Sequence, residues 1–293
     1  MPFNLATFKT RATTAAIFVI IVLTGLLWNY WSFLLLFTII HFGCWWEYLK
    51  LVGLIDKDYQ NISPFHKYGI MLLGWGLMLC FTNGAYSFLD IRLKDIGIIL
   101  SITMVPVIIY ADMVLIKPIN FKLFAHSFFG LIYISLSWGL MMHLRCFDMI
   151  RKGNNIYVDF FGYTLPLMII ISIWINDTMA YIVGSFIGKT PFSKISPKKT
   201  WEGTIGGVIL CIVVMATLWY LFQYRKIIDW IVIAAIAAIF GTLGDLLESK
   251  LKRLAGVKDS GSLMPGHGGF LDRFDSLLFA TPFVWLYAYF FMR

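Results

Sequence analysis

Charge is scarce in this chain of 293 residues: Asp, Glu, Lys and Arg make up 14% of it, against 59% hydrophobic residues. Soluble domains carry roughly 25% charged residues. A chain this apolar has too little polar surface to cover a core in water, so its solvent is mostly lipid; a mean hydropathy of +0.78 agrees. Cysteine is equally sparse. Cys44, Cys80, Cys146 and Cys211 form no CxxC pair, which supports neither a disulfide framework nor a zinc site and leaves Cys as a small hydrophobe. There is no Walker A GxxxxGK[ST] run and no kinase motif set, so any nucleotide is held by a different fold. The net charge is +8, but no zinc-finger, homeodomain or RNP-type pattern accompanies it, and no nucleic-acid partner is expected. No Pro/Ser-rich linker divides the chain, which is expected to be one domain over residues 1–293. No internal repeat marks an inverted-repeat transporter.

Long apolar runs are what the chain does have. A spanning helix needs about 20 mostly apolar residues, and on that basis nine spans are expected, roughly 13–28, 30–49, 68–87, 96–116, 123–143, 163–186, 203–222, 227–247 and 270–291. The fold class is therefore an all-α polytopic membrane protein of about nine transmembrane helices. Lys9 and Arg11 precede the first run like the start of a signal peptide. No small-residue cleavage site follows, so the run is expected to stay as a first helix paired with the second. Placing the N-terminus in the cytoplasm and the C-terminus outside puts about twice as many Lys and Arg in the inner segments as in the outer ones, as the positive-inside tendency requires. Both long polar loops, 187–202 and 248–269, then face the cytoplasm, where a nucleotide is found. Residues 1–170 read mainly as apolar spans and 171–293 as the catalytic segment.

Charged side chains in a membrane cost a few kcal/mol each and mark function by default. Seven carboxylates, Glu47, Asp112, Asp177, Glu202, Asp245, Asp272 and Asp275, fall near the expected cytoplasmic helix ends. Each could instead cap a helix or pair with a nearby Lys, and for Glu47 and Asp112 that plainer reading stays open. Asp272 and Asp275 are three apart, and Asp245, Ser249 and Lys252 are four and three apart, so each set shares a helix face. Between them lies a Gly-rich loop, Lys258 to Gly269, whose glycines permit close approach and free N–H groups for phosphate oxygens. It runs into a helix N-terminus, where an anion is favoured. Carboxylates for a hard metal beside cations for phosphates are what phosphoryl chemistry with magnesium needs. Ser196-Pro197-Lys198-Lys199 before a helix start is a second candidate phosphate cradle; alone, it could equally be a basic membrane-surface loop.

The run Ser249-Lys250-Leu251-Lys252-Arg253, then Lys258-Asp259-Ser260-Gly261, then Pro265-Gly266-His267-Gly268-Gly269-Phe270-Leu271-Asp272-Arg273-Phe274-Asp275 resembles the signature of phosphatidate cytidylyltransferases, also called CDP-diacylglycerol synthases. Met264 departs from the usual Leu, Ile or Phe, a conservative apolar change. Gly244-Asp245 with Glu248-Ser249, Ser196 to Gly203, and Asn176-Asp177-Thr178 with Ala180-Tyr181 are similar to the family's other recurring segments. The specific likeness covers about residues 176–275. It implies an all-helical homodimer embedded in membrane lipid and metal-dependent transfer of CMP from CTP to phosphatidic acid, with pyrophosphate released and the CDP-diacylglycerol product feeding phospholipid biosynthesis. It ties Asp245, Asp272 and Asp275 to a metal site, with Mg2+ and a second cation such as K+ as the expected cofactors, and ties Lys252 to activity. On the chemistry of the residues, Lys252, Arg253 and Lys258 would clamp anionic reactants, and Arg273 is expected in the substrate-binding set. Gly266, Gly268 and Gly269 would cradle the triphosphate. His267 would bond a phosphate oxygen or hold the loop. Ser249, Asp259, Ser196, Lys198 and Lys199 complete the expected substrate-binding set. The rivals are a CTP- or ATP-dependent lipid kinase of related architecture, a CDP-alcohol phosphotransferase (whose DG-x-x-AR spacing is missing), a membrane transporter and a silent scaffold. The compact chain points to a bacterial inner membrane.

Overall fold

The computed structural model describes residues 5–115, 121–152, 156–159, 162–262 and 268–292. Helix α1 (Leu5–Leu27) turns through Trp28 and Asn29 into α2 (Tyr30–Ile55). The turn is closed by a reciprocal cap: Ser32 N donates to Asn29 Oδ1 at 2.7 Å and Asn29 N donates to Ser32 Oγ at 3.0 Å, satisfying donors that a helix start leaves open. Asp56 ends α2 and caps the single turn α3 (Lys57–Gln60). Ser63 then caps α4 (Pro64–Cys80), whose first residue is a proline, suited to a position that has no N–H partner.

Helix α4 differs from the expected span 68–87. The Ser63-Pro64 start signal sets it back several residues, and it stops at Cys80. Residues 87–92 instead form a tight hairpin of β1 (Ser87–Phe88) and β2 (Ile91–Arg92), turned by Leu89 and Asp90 at positive φ. Helix α5 (Leu93–Leu115) returns against α4. Gly97 lets the two backbones close, since a Cβ there would lie 2.6 Å from the Gly76 carbonyl. Next, α6 (Phe121–Gly130), a π-helical turn (Leu131–Leu136) and α7 (Ser137–Cys146) make one rod. The π turn presents Ser135 to Trp45 Nε1, which donates to its Oγ at 2.8 Å, so a helix defect joins α2 to the rod.

A hairpin, β3 (Met149–Lys152) with β4 (Ile156–Asp159), leads to α8 (Thr164–Ile187), α9 (Trp201–Phe222), α10 (Ile227–Leu254) and α11 (Leu271–Phe291). Helix α10 runs to Leu254, so residues 248–254, expected as loop, are its last two turns. Among the described residues, seven helices are long and apolar enough to cross a membrane; α1 adds a shorter apolar stretch, Thr13–Leu27. Helix α4, with 17 residues, spans about 26 Å at the α-helical rise, slightly less than a bilayer core. The core is aromatic and aliphatic, built around Phe33, Phe37, Trp45, Trp138, Met141 and Leu278. Large side chains such as Ile99, Ile102 and Leu221 stay exposed, as lipid-facing positions do. The protein is an all-α polytopic membrane protein.

Candidate active site

Three carboxylates converge where α10 ends and α11 begins. Asp245 and Glu248 sit one turn apart on α10, and Asp275 lies on the first turns of α11. Each offers an oxygen, and these oxygens all lie within 4.8 Å of one another. Gly244 allows the approach, because a Cβ there would stand 2.5 Å from the Asp275 carbonyl oxygen. Glu248 is 0% exposed and Asp275 is buried. Lys252 makes an ion pair with Glu248, while Glu248 Oε1 has no hydrogen-bond partner among the described residues. Buried acidic oxygens left unbonded cost several kcal/mol, and like charges this close repel. The trio thus fits a hard, oxygen-loving divalent cation, whose coordination would use these oxygens. Glu248 was missed as a ligand from sequence; its signal is the i,i+3 spacing from Asp245.

Asp272, expected beside Asp245 and Asp275, is committed elsewhere. Lys252 Nζ donates to Oδ1 at 2.6 Å, and Ser260 N, Ser260 Oγ and Gly269 N each reach Oδ2 at 2.8 Å. Its carboxylate ties the loop to the helix start, and Lys252 spans the gap between it and Glu248.

The Gly-rich loop is used differently from the expectation as well. Glu47, arriving from α2, accepts from Phe270 N and Leu271 N at 2.9 Å each and from Ser260 Oγ at 2.6 Å. The anion at the N-terminus of α11 is therefore a side chain of the protein, placed where the helix dipole favours it. Gly261 and Gly269 make room for that carboxylate: a Cβ on either would fall 2.2 or 2.1 Å from Glu47 Oε1. Gly268 has φ of +80°, a left-handed conformation that favours glycine. The N–H groups of residues 269, 270 and 271 are consequently taken by Asp272 and Glu47 rather than held open for phosphates. Gly266 and His267 lie outside the described residues.

A cleft of about 490 Å3 opens beside the trio, between α8, α10 and the start of α9. Asp177, Tyr181, Lys198, Lys199, Thr242 and Asp245 are among its walls. Lys199 makes an ion pair with Asp245, which draws the 188–200 loop to the carboxylates. That loop is pinned in turn by Glu202, whose carboxylate accepts from Lys189 N and Thr190 N at 3.2 Å, and by Thr200, the N-cap of α9. Tyr181 is 78% exposed and offers an open ring face.

The remaining expected residues divide. Ser249 Oγ donates to Asp245 Oδ1 at 3.2 Å and so supports the trio. Ser196 is used in the loop's own turn, its N–H donating to Ser193 Oγ and its carbonyl accepting from Lys199 N. Arg253 donates to the Val257 carbonyl at 3.3 Å, closing the end of α10. Lys258 and Asp259 are exposed in the loop and do not line the cleft. Arg273 faces a separate crevice on the side of α1. Asp112 lies apart in a buried chain, with His66 Nδ1 at 2.5 Å and His66 Nε2 at 2.7 Å from Ser127 Oγ.

The cytidylyltransferase family model matches residues 9–291. A protein of Bacillus subtilis strain 168 named phosphatidate cytidylyltransferase is 43% identical over 143 residues, 48% of this chain and 52% of the relative. Proteins of the same name from Staphylococcus saprophyticus and Staphylococcus haemolyticus are 46% and 48% identical, over 41% and 38% of this chain and 47% and 43% of their own lengths. The chain thus spans about half the length of the curated relatives it matches.

Proposed function

As this chain belongs to the cytidylyltransferase family, we propose that it transfers CMP from CTP to phosphatidic acid, forming CDP-diacylglycerol and pyrophosphate. The observation that carries the reading is the meeting of a buried trio of carboxylates, Asp245, Glu248 and Asp275, with a Lys-walled cleft at one end of an apolar helical bundle. Relatives named phosphatidate cytidylyltransferase favour it over a lipid kinase or a transporter.

In the proposed reaction a phosphate oxygen of phosphatidic acid attacks the α-phosphorus of CTP. A P–O bond forms there, and the bond to the β-phosphate oxygen breaks with its electron pair leaving on pyrophosphate. The lipid oxygen is already anionic at neutral pH, so no general base is needed. Mg2+ on the trio, with a second cation such as K+ nearby, would supply the positive charge that offsets the build-up on the phosphates. Asp245, Glu248 and Asp275 would hold that ion, and Ser249 steadies Asp245. Lys252, fixed between Glu248 and Asp272, would keep a positive charge beside the reacting phosphates. Lys198 and Lys199 would draw in the triphosphate, and Tyr181 would offer a face on which a pyrimidine can stack.

We place the protein in the bacterial plasma membrane with this cleft on the cytoplasmic side, a placement supported by the distribution of Lys and Arg and by bacterial relatives. A homodimer is the proposed assembly. The first measurement is CDP-lipid and pyrophosphate formation by detergent-purified protein given phosphatidic acid, magnesium and CTP, with ATP-only, chelator and Asp275→Asn controls. Product that requires CTP and vanishes in the variant and with chelator is expected. Phosphorylated lipid from ATP alone would reassign the protein to a kinase.

A further inference from the structure

A groove of about 520 Å3 lies between α2, α3 and the start of α4. It shares no wall residue with the nucleotide cleft or the carboxylate trio. Its volume is within the range of ligand sites, about 300–1,000 Å3. Trp46, Leu49, Lys50, Gly53 and Leu54 line one side; their steps of three and four residues put them on one face of α2. Pro64, Lys67 and Tyr68 from the first turns of α4 line the other. Gln60 of α3 closes the groove near Gly53, where a Cβ would lie 3.4 Å from the Gln60 Cα.

The walls are mostly apolar, and among the described residues they carry two lysines and no carboxylate. Lys50 is exposed, with its ammonium 5.1 Å from the centre of the Trp46 ring. Lys67 Nζ donates to the Gln60 carbonyl at 2.8 Å, a bond that uses one of its three donors. The nearby Lys122 is by contrast paired with Asp56 at 2.9 Å. Lys50 stands one turn beyond Glu47, which binds the start of α11. The lysines are therefore at the end of the bundle that holds the carboxylate trio. Trp46 lies about one turn further into the apolar span than Lys50. Trp46, Leu54 and Tyr68 are about half exposed, and exposed Trp and Tyr rings beside lysines mark the interface level of a membrane helix.

We propose that this groove binds an anionic phospholipid as a non-reacting lipid, with its phosphate on Lys50 and Lys67 and an acyl chain along Trp46, Leu49 and Tyr68. Charge selects that occupant. Two cations without a carboxylate attract a phosphate, and basic pockets between membrane helices hold anionic headgroups. The apolar walls give a free phosphate ion nothing, but removing them from water or lining them with a chain favours a lipid. The groove contains none of the three carboxylates that would hold a metal, so a phosphate bound here is not activated for transfer. A lipid that binds only the folded bundle stabilises it by mass action. Here it would brace the end of α2 from which Glu47 holds α11.

The test uses phosphatidylglycerol carrying a diazirine in one acyl chain, photolysed with the full-length protein in detergent, with modified peptides mapped by mass spectrometry. Crosslinks within 46–54 and 64–68 are expected. Native mass spectrometry should show phosphatidylglycerol retained where phosphatidylcholine with the same chains is lost. Replacing both Lys50→Ala and Lys67→Ala should weaken retention about 30-fold. The paired Lys50→Arg and Lys67→Arg changes should preserve it, as should Lys94→Glu, exposed at the start of α5. Leu54→Trp, which crowds the groove and keeps both lysines, should reduce the crosslinks even if the alanine pair fails to fold. Crosslinks confined to other segments, equal retention of phosphatidylcholine, or full retention by a folded alanine pair would each overturn the proposal. Displacement of the lipid by inorganic phosphate would overturn it in favour of a soluble-anion site. Shielding of Lys50 from acetylation in lipid-free protein would give the groove to a second copy of the chain instead.

Discussion

Three N–H donors converge on the Asp272 carboxylate, and two N–H groups with the Ser260 hydroxyl on Glu47; Glu248, by contrast, meets only Lys252 among the described residues. That difference predicts different failures. Glu248→Gln removes one charge from the trio while leaving the loop and the start of α11 intact. Turnover should fall at least about 100-fold with the melting temperature kept or raised, since a repelling buried charge is gone. Unchanged turnover would remove Glu248 from the site. Glu47→Gln should do the reverse to stability. An amide offers one acceptor oxygen and turns its NH2 toward the N–H groups of Phe270 and Leu271, so about 1–3 kcal/mol should be lost, measured by thermal unfolding in detergent, with Glu47→Asp losing less. Spacing set Asp245, Ser249 and Lys252 on one helix face and Asp272 and Asp275 on another, while the family resemblance supplied the expectation of a metal site. The structure brings Asp245 and Asp275 together and sets Asp272 against Lys252, Ser260 and Gly269. Nothing local could assign Glu47, whose partners lie 223 and 224 residues away in the chain.

At the scale of elements, hydropathy shows where helices are but not where they end, because lipid rewards apolar residues without fixing a boundary. The ends are set by caps: Asn29 for α2, Ser63-Pro64 for α4 and Thr200 for α9. These are short polar signals between apolar runs, and overlooking Ser63-Pro64 misplaced α4. The π turn at Leu131–Leu136 left no pattern at all, since it answers to Trp45 on another helix. Asn29→Ala should lower stability by about 1 kcal/mol and leave turnover alone, because α1 and α2 join far from the carboxylates. Gly244→Ala tests the opposite kind of position. The added methyl would meet the Asp275 backbone and the Phe279 side chain at 2.5 and 2.8 Å, forcing α10 from α11. A cost of about 1–3 kcal/mol is expected, together with a loss of turnover larger than that of any cap variant of similar stability. Equal turnover at equal stability would mean that the helix spacing does not set the trio.

The whole molecule sorts its polar groups by end. The carboxylate trio, Glu47, the 188–200 loop and the His66–Asp112 pair gather at one end. At the other, Arg225 pairs with Asp148, and Tyr287 donates to Asp229 at 2.8 Å. Glu47 near the end of α2 binds the start of α11, and the Asn29 turn folds α1 back along α2. These contacts fix the ends to which the described chain runs: the start of α1 lies with the site and the end of α11 lies opposite. Helix α4 is the weak link in reading this as alternating membrane passes, being only 17 residues long, yet the His66–Asp112 contact between its first turn and the end of α5 requires the two helices to run antiparallel. Sidedness therefore follows for the whole bundle from one loop. Cysteines substituted at Lys258 and at Gln223, each in a chain freed of Cys80, should label oppositely with a membrane-impermeant maleimide: Gln223→Cys in intact cells and Lys258→Cys only in inverted vesicles. Both labelling from one side would mean that α4 or α1 does not cross, and Lys258→Cys labelling in intact cells would put the cleft on the face where CTP is not supplied.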